Sequence, residues 1–402
     1  IEWNLKHSGT DSAELRAIRR RFDELFESPQ AEPLTPELLE DYRRATPVPP
    51  APEPAADRPK PHPIQQEVLQ QLREVRSEGA RRGLVVLATG LGKTYLSAFD
   101  FEQFEGRRAL FVAHREEILE QAARSWSLVL PDHSIGLLVG NRKEPEADLL
   151  FASVQTLSRR KNLRHFSPEH FDYIVIDEFH HAAAQTYRRL LGHFSPRFLL
   201  GLTATPDRMD GASLLDLCDG VLVARVGVVE GISRKLLVPF HYYGVKDEID
   251  FSAIPWRSGR FDLEKLTELA ATEGRAAQAL REYRAHGPDD NRRALIFCCS
   301  RRHADYTAAY FSRHGVSARS VHSGPSSAPR ARSLQELRDG ALEAICAVDV
   351  FNEGVDLPDI NTILMLRPTE SPIVFLQQLG RGLRKGTDGQ KPALTIVDFI
   401  GN

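Results

Sequence analysis

The apolar run at residues 84–87 ends directly in Ala88-Thr89-Gly90-Leu91-Gly92-Lys93-Thr94, and a helix-compatible stretch follows. A strand, a glycine loop and a helix in that order constrain the fold more than any other feature of this chain. Glycines let neighbouring backbone N–H groups converge on phosphate oxygens, and the start of the helix adds a favourable partial charge. In such a loop Lys93 reaches the β and γ phosphates of a nucleotide and Thr94 holds Mg2+. Thr89, Gly90, Leu91 and Gly92 complete the cradle. Leu87 stands where the general form has its first glycine, so the match is to a variant with Ala-Thr-Gly ahead of Gly-Lys-Thr.

A loop of this kind needs a parallel sheet behind it. Residues 84–87, 109–113, 149–153, 173–177 and 198–202 are short apolar runs suited to strands buried on both faces. Residues 294–298, 318–322, 344–348, 362–366 and 394–399 form a second series. Helical stretches separate several of them, which predicts an α/β fold with mainly parallel sheets. Two domains are expected, over 63–230 and 231–402, joined between residues 226 and 262. Ahead of them, a segment over 1–46 carries an amphipathic helix at 11–27, and a proline-rich linker covers 47–62. With 402 residues, 42% of them apolar, each domain can bury a core. No apolar run is long enough to span a membrane, and no secretory signal is present. Cys218, Cys298, Cys299 and Cys346 lack zinc-finger spacing and suit a reducing, cytoplasmic compartment. A net charge of −3 neither marks nor excludes a nucleic-acid partner, because a local basic track suffices.

The second chemical element is Asp177-Glu178-Phe179-His180, at a strand end. Asp177 is placed to hold Mg2+ through water, and Glu178 to orient or deprotonate an attacking water. With that pair in place, an ordered series of motifs over residues 60–400 resembles the superfamily 2 helicases of DExH type. The resemblance implies two RecA-like domains with ATP and Mg2+ bound between them. Gln65 is similar to the glutamine that reads the adenine edge, with Gln66 as the competing position. His114 and Arg115, then Gln155 and Thr156, fall in motifs that lie on the nucleic-acid backbone. Thr203-Ala204-Thr205 resembles the segment linking hydrolysis to movement, and His180 belongs to the same link. In the second half Ser300 and Arg301, then His322 and Ser323, resemble further backbone contacts. Residues 352–358 resemble the fifth motif, whose Gly354 and Asp356 face the nucleotide. Residues 377–384 resemble the sixth, with Gln377, Arg381 and Arg384 as its catalytic side chains. Its two arginines act as fingers on the γ-phosphate, a role worth a rate factor on the order of 10³ to 10⁵.

Three departures shape the expected substrate. Glu353 replaces the arginine usual in RNA-remodelling DEAD-box proteins, and Phe179-His180 replaces their Ala-Asp. Val348 stands where many relatives place a threonine on the backbone. The pattern is closer to DNA translocases of restriction and repair, which implies duplex, forked or single-stranded DNA as the track. The alternatives are a DExH-type RNA helicase and a non-catalytic nucleic-acid scaffold. The scaffold reading predicts loss of Lys93, Asp177, Glu178 or Arg381, and all four are present. One chain holds both halves of the site, so a monomer can work. The exposed-looking run at 158–165 reads equally as extra phosphate contacts or a solvated loop, while Trp126 and Trp256 read as packing residues before base-stacking ones. Ile1-Glu2-Trp3-Asn4 with the helix at 11–27 resembles the tail of a phospholipase D-type nuclease domain. That resemblance implies the helicase core of a longer nuclease–helicase, near the bacterial nucleoid, with further domains beyond both ends.

Overall fold

Strands that alternate their side chains between two covered faces have no place for a charge, and the strands Ala109–Ala113, Leu149–Ser153, Tyr173–Ile176 and Phe198–Thr203 carry none. The computed structural model describes residues 58–402 except 183, 205–213, 248, 258–259, 289–290, 349–350, 352–356, 369–374, 376–377, 381, 387–388, 390 and 401–402. The expected helix at 11–27 and most of the proline-rich linker lie outside the described residues, as do Thr205, Gly354, Asp356, Gln377 and Arg381.

The first sheet holds β1 (Arg82–Leu87), β2 (Ala109–Ala113), β3 (Ile135–Val139), β4 (Arg142–Lys143), β5 (Leu149–Ser153), β6 (Tyr173–Ile176), β7 (Phe198–Thr203) and β8 (Leu222–Val226). Their order is β4-β3-β5-β2-β6-β7-β1-β8. All neighbours run parallel except the edge pair β3 and β4. Val85 and Leu87 of β1 enter one apolar cluster, while Leu84 and Val86 enter another. That split is the two-residue period of a strand covered on both faces. Helices Pro63–Ser77, Lys93–Phe104 and Glu116–Val129 cover the first face, where Trp126 is fully buried among Phe101, Phe111 and Phe151. Helix Gln185–His193 covers the other with Tyr187 and Leu190.

A second sheet follows, made of β9 (Phe240–Lys246), β12 (Ala294–Phe297), β13 (Ala318–Val321), β14 (Ala344–Ala347), β15 (Thr362–Met365) and β16 (Leu394–Ile400). Its order is β13-β14-β12-β15-β16-β9, parallel throughout. Between β9 and β12 lies a two-stranded antiparallel hairpin, β10 (Trp256–Arg257) and β11 (Arg260–Phe261). The chain passes from first sheet to second through the helix Val228–Ser233.

The ten expected strands are present, with ends shifted by a residue or two. Five more elements were not anticipated: β3, β4, β8, β9 and the hairpin. For β9, Phe-His-Tyr-Tyr-Gly-Val-Lys, the reason is that it is an exposed edge strand with no apolar run, whereas β3, Ile-Gly-Leu-Leu-Val, is apolar and buried and went unread all the same. Parallel strands bring all their carboxyl ends to one edge of a sheet, where α/β folds place their ligands. β7 lies between β1 and β6, so the glycine loop, Thr203 and Asp177 emerge side by side. Among the described residues no helix is long and apolar enough to cross a membrane.

Candidate active site and nucleic-acid interface

The glycine loop needs its glycines for conformation. Gly90 has φ +97° and Gly92 φ +71°, in the left-handed region where a side chain is strained. A methyl group on Gly90 would also lie 2.9 Å from Leu237 Cδ2 and 3.3 Å from Arg384 Cγ. Lys93 opens the helix, and its Nζ donates to the Leu87 carbonyl at 3.1 Å. Gln65 is buried, and its Nε2 donates to the Gly92 carbonyl at 3.0 Å. Its Oε1 accepts from the His62 backbone N–H at 3.0 Å, closing a capping box on helix Pro63–Ser77. Gln66 instead is exposed and donates to Pro61. Of the two glutamines, the structure therefore sets Gln65 against the loop.

At the end of β6, Asp177 and Glu178 are buried side by side. The Glu178 N–H donates to Asp177 Oδ1 at 2.9 Å, and Glu178 itself holds a left-handed backbone at φ +48°. Its carboxylate lies 3.4 Å from His180 Nδ1, which is also 3.4 Å from Thr203 Oγ1. A continuous line of contacts thus runs from Glu178 through His180 to the end of β7. It extends the other way too. The His180 ring lies 4.2 Å from that of His181, and His181 meets His114 edge-on at 5.0 Å. Gly201 makes room for the box, since a methyl group there would press on the Phe179 ring at 2.8 Å.

The second half reaches the same place. A Cβ on Gly380 would overlap Thr89, so this short helical segment packs directly on the glycine loop. The Arg384 side chain lies along Gly90. Leu237 and Arg384 form an isolated bridge, and the Val238 N–H donates to the Leu383 carbonyl at 2.8 Å. Lys391 locks the segment from behind: its Nζ donates to the carbonyls of Pro358 at 3.0 Å, Arg384 at 3.1 Å and also Gly382. Sequence reading did not single out Leu237 or Lys391, since neither carries a motif signature.

The expected backbone contacts divide. A cleft of about 890 Å³ is lined by Arg115 from the first half and by Ser300, Arg301, Ser323 and Val348 from the second. Leu263, Glu264, Thr267, Cys299 and Arg302 complete its lining. Arg301 donates to Ser323 Oγ at 2.9 Å. Burial pushes the Cys299 thiol up to about 11, so at neutral pH its lining charges come from the arginines and Glu264. His322 stands behind this surface rather than on it. It is buried, with Nε2 2.9 Å from Asp305 and Nδ1 accepting from the Gly324 N–H at 3.0 Å, so it shapes the turn that presents Ser323. Thr156 is likewise buried, bonded to Ser153 in the cap of helix Val154–Leu157, while Gln155 is exposed. Arg159, Arg160, Lys161, Arg164 and His165 are exposed. Trp126 is core, and its Nε1 donates to Ser97.

Residues 58–208 match the family model of the type III restriction enzyme res subunit, and residues 276–386 match the helicase conserved C-terminal domain. IRC3 of Saccharomyces cerevisiae, whose name places it among ATP-dependent helicases, is 30% identical over 342 residues, which is 81% of this chain and 49% of IRC3. The chain belongs to the superfamily 2 helicases. The DNA 3'-5' translocase XPB2 of Sulfurisphaera tokodaii is 26% identical over 365 residues, 78% of this chain and 79% of XPB2. Among solved structures, the type ISP restriction-modification enzyme LlaBIII bound to DNA superposes with a TM-score of 0.63 at 16% identity. It covers 86% of this chain and 28% of LlaBIII. The two parallel sheets are thus the paired RecA-like domains of a superfamily 2 core. This helicase chain spans about half the length of curated relatives such as IRC3.

Proposed function

We propose that this chain couples ATP hydrolysis to movement along, or unwinding of, DNA in repair or in defence against foreign DNA, in the cytoplasm beside the nucleoid. The domains would be 63–230 and 231–402, and one chain would suffice. The observation that most supports the reading is the packing of Gly380 on Thr89 and of Arg384 along Gly90. A phosphate loop with an arginine from another domain laid on it is a composite site that opens and closes.

The oxygen donors of Thr94 and Asp177 fit Mg2+, a hard cation that keeps several waters. The backbone of residues 89–92 with Lys93 would hold the phosphates, and Gln65 steadies that loop from below. Gly354 and Asp356 would face the nucleotide from the second half. Bound ATP supplies the γ-phosphoryl group whose transfer to water drives the cycle. Glu178 orients that water, and Arg384, with Arg381 and Gln377, balances the charge that develops. His180 would report the state of Glu178 to Thr203, and Thr205 would belong to the same link. Closure and release of the two halves then alternate the grip of Arg115 against that of Ser300, Arg301 and Ser323. DNA is preferred as the track because XPB2 is a DNA translocase by name and LlaBIII was solved on DNA.

The test is ATP hydrolysis by the chain alone and with single-stranded, duplex or forked DNA or RNA, with Lys93→Ala as control. Stimulation by a DNA form, abolished in the control, is expected. Stimulation by RNA alone would overturn the DNA assignment, and none by any nucleic acid would overturn the motor reading.

A further inference from the structure

The cleft has a wall that neither family model reaches. The models leave residues 209–275 uncovered, and between β9 and β12 the chain builds a small unit of its own. Ile249, Phe251, Ile254, Leu266 and Ala270 form a separate apolar cluster, with Phe261, Leu269 and Cys299 packed against it. Cys299 lies just past β12, so the unit is docked on the strand end that carries Ser300 and Arg301. Asp262 caps the helix Leu263–Ala270 by accepting from the Lys265 N–H. That helix turns Leu263, Glu264 and Thr267 into the cleft.

Two large apolar side chains of this unit stay in solvent. Leu263 is 57% exposed and Trp256, on the hairpin, is 53% exposed. The Trp256 ring stands edge-on to Phe261 with centroids 4.7 Å apart, so it is braced from one side while much of its surface stays open. The rest of the cleft divides by charge. Arg115, Arg301 and Arg302, with the hydroxyls of Ser300 and Ser323, suit phosphates. Glu264 repels them. A strand entering the cleft is therefore driven to lay its backbone on the arginines and turn its bases toward the inserted unit.

Leu263 lines the cleft, and the Asp262 N–H donates to the Pro255 carbonyl at 2.8 Å, which joins the strand of Trp256 to the start of that helix, just outside the lining. We infer that this unit presents a base-contacting wall, on which Leu263 in the cleft and Trp256 beside it take the faces of unstacked bases of a single strand. The inference rests on the nucleic-acid reading above. Stacking needs only a π-face, so the wall selects single strands over duplex and ignores sequence.

Fluorescence anisotropy of the full chain tests this with oligothymidylate and with an abasic strand of equal length and charge. Trp256→Ala should weaken oligothymidylate binding roughly 5- to 150-fold, the range of a lost base stack, and leave the abasic strand nearly unchanged. Trp256→Phe should recover most of the loss. Because Trp256 is largely exposed, its truncation leaves no core cavity, and a melting curve checks the fold. Equal weakening on both strands, or none on either, would overturn the wall while leaving the motor reading intact. Wild-type protein that binds neither strand would remove both.

Discussion

Glu178 shows how much a single residue can be asked to hold. Its left-handed backbone costs on the order of 1–3 kcal/mol for a residue with a Cβ. Two hydrogen bonds offset it: its N–H to Asp177 and the His181 N–H to its carbonyl at 3.0 Å. The outcome is a carboxylate turned toward His180. Glu178→Gln keeps this shape but removes the carboxylate proposed as the base, so ATP binding should persist while turnover falls about 10²- to 10⁴-fold. Equilibrium binding set against single-turnover hydrolysis checks it, and unchanged turnover would exclude Glu178 from the chemistry. Lys391 makes a different kind of demand. Burial pushes its ammonium down to about 8, with Asp359 pulling the other way. An unfolded lysine keeps its proton to about pH 10.4. Between those values the unfolded chain binds more protons, so the residue's contribution to stability rises with pH there. Urea midpoints of wild type minus Lys391→Met should increase from about pH 8 to about pH 10. A flat difference would mean that this lysine is solvated in the folded state.

At the scale of elements, the decisive piece is the short segment from Gln378 to Arg384. Leu379 and Leu383 bury it, Lys391 binds its last carbonyls, and Gly380 lets it touch Thr89. The clash facing a Cβ at 380 involves Thr89 Cβ, an atom no rotamer change can move. Gly380→Ala should therefore lift the arginine segment off the loop and lower kcat roughly 100-fold, the cost of a misplacement of about 1 Å. Steady-state ATPase beside a melting curve separates this from unfolding, and full activity would show that the two elements need not touch. The glycine was legible as part of a motif; its partner across the chain was not. Most of the parallel strands were legible as short apolar runs, but β3 and β8 are parallel and mostly buried and were not read from the sequence. The exposed edge β9 and the hairpin carry no such run, and their pairing came from the neighbours they found.

For the whole molecule, the cleft joins Arg115 of one half to Ser300 and Arg301 of the other, while the nucleotide loop meets Arg384 across the same division. A change of spacing at one junction must then be felt at the other. A non-hydrolysable ATP analogue should change single-stranded DNA affinity by about 5- to 150-fold, and DNA should change analogue affinity by the same factor. Anisotropy titrations in both orders measure it, and equal DNA affinity with and without the analogue would sink the coupling. Local chemistry is written in adjacent residues, so the glycine loop, the Asp177-Glu178 pair and the strand runs could be read directly from the chain. Proximity between distant segments is not written there. Only folding set Gln65 rather than Gln66 under the loop, drew His322 and Thr156 behind the surface, and brought Lys391 to the carbonyls near Arg384. Each of those depends on which side chains meet once apolar surface is buried, and no local pattern carries that information.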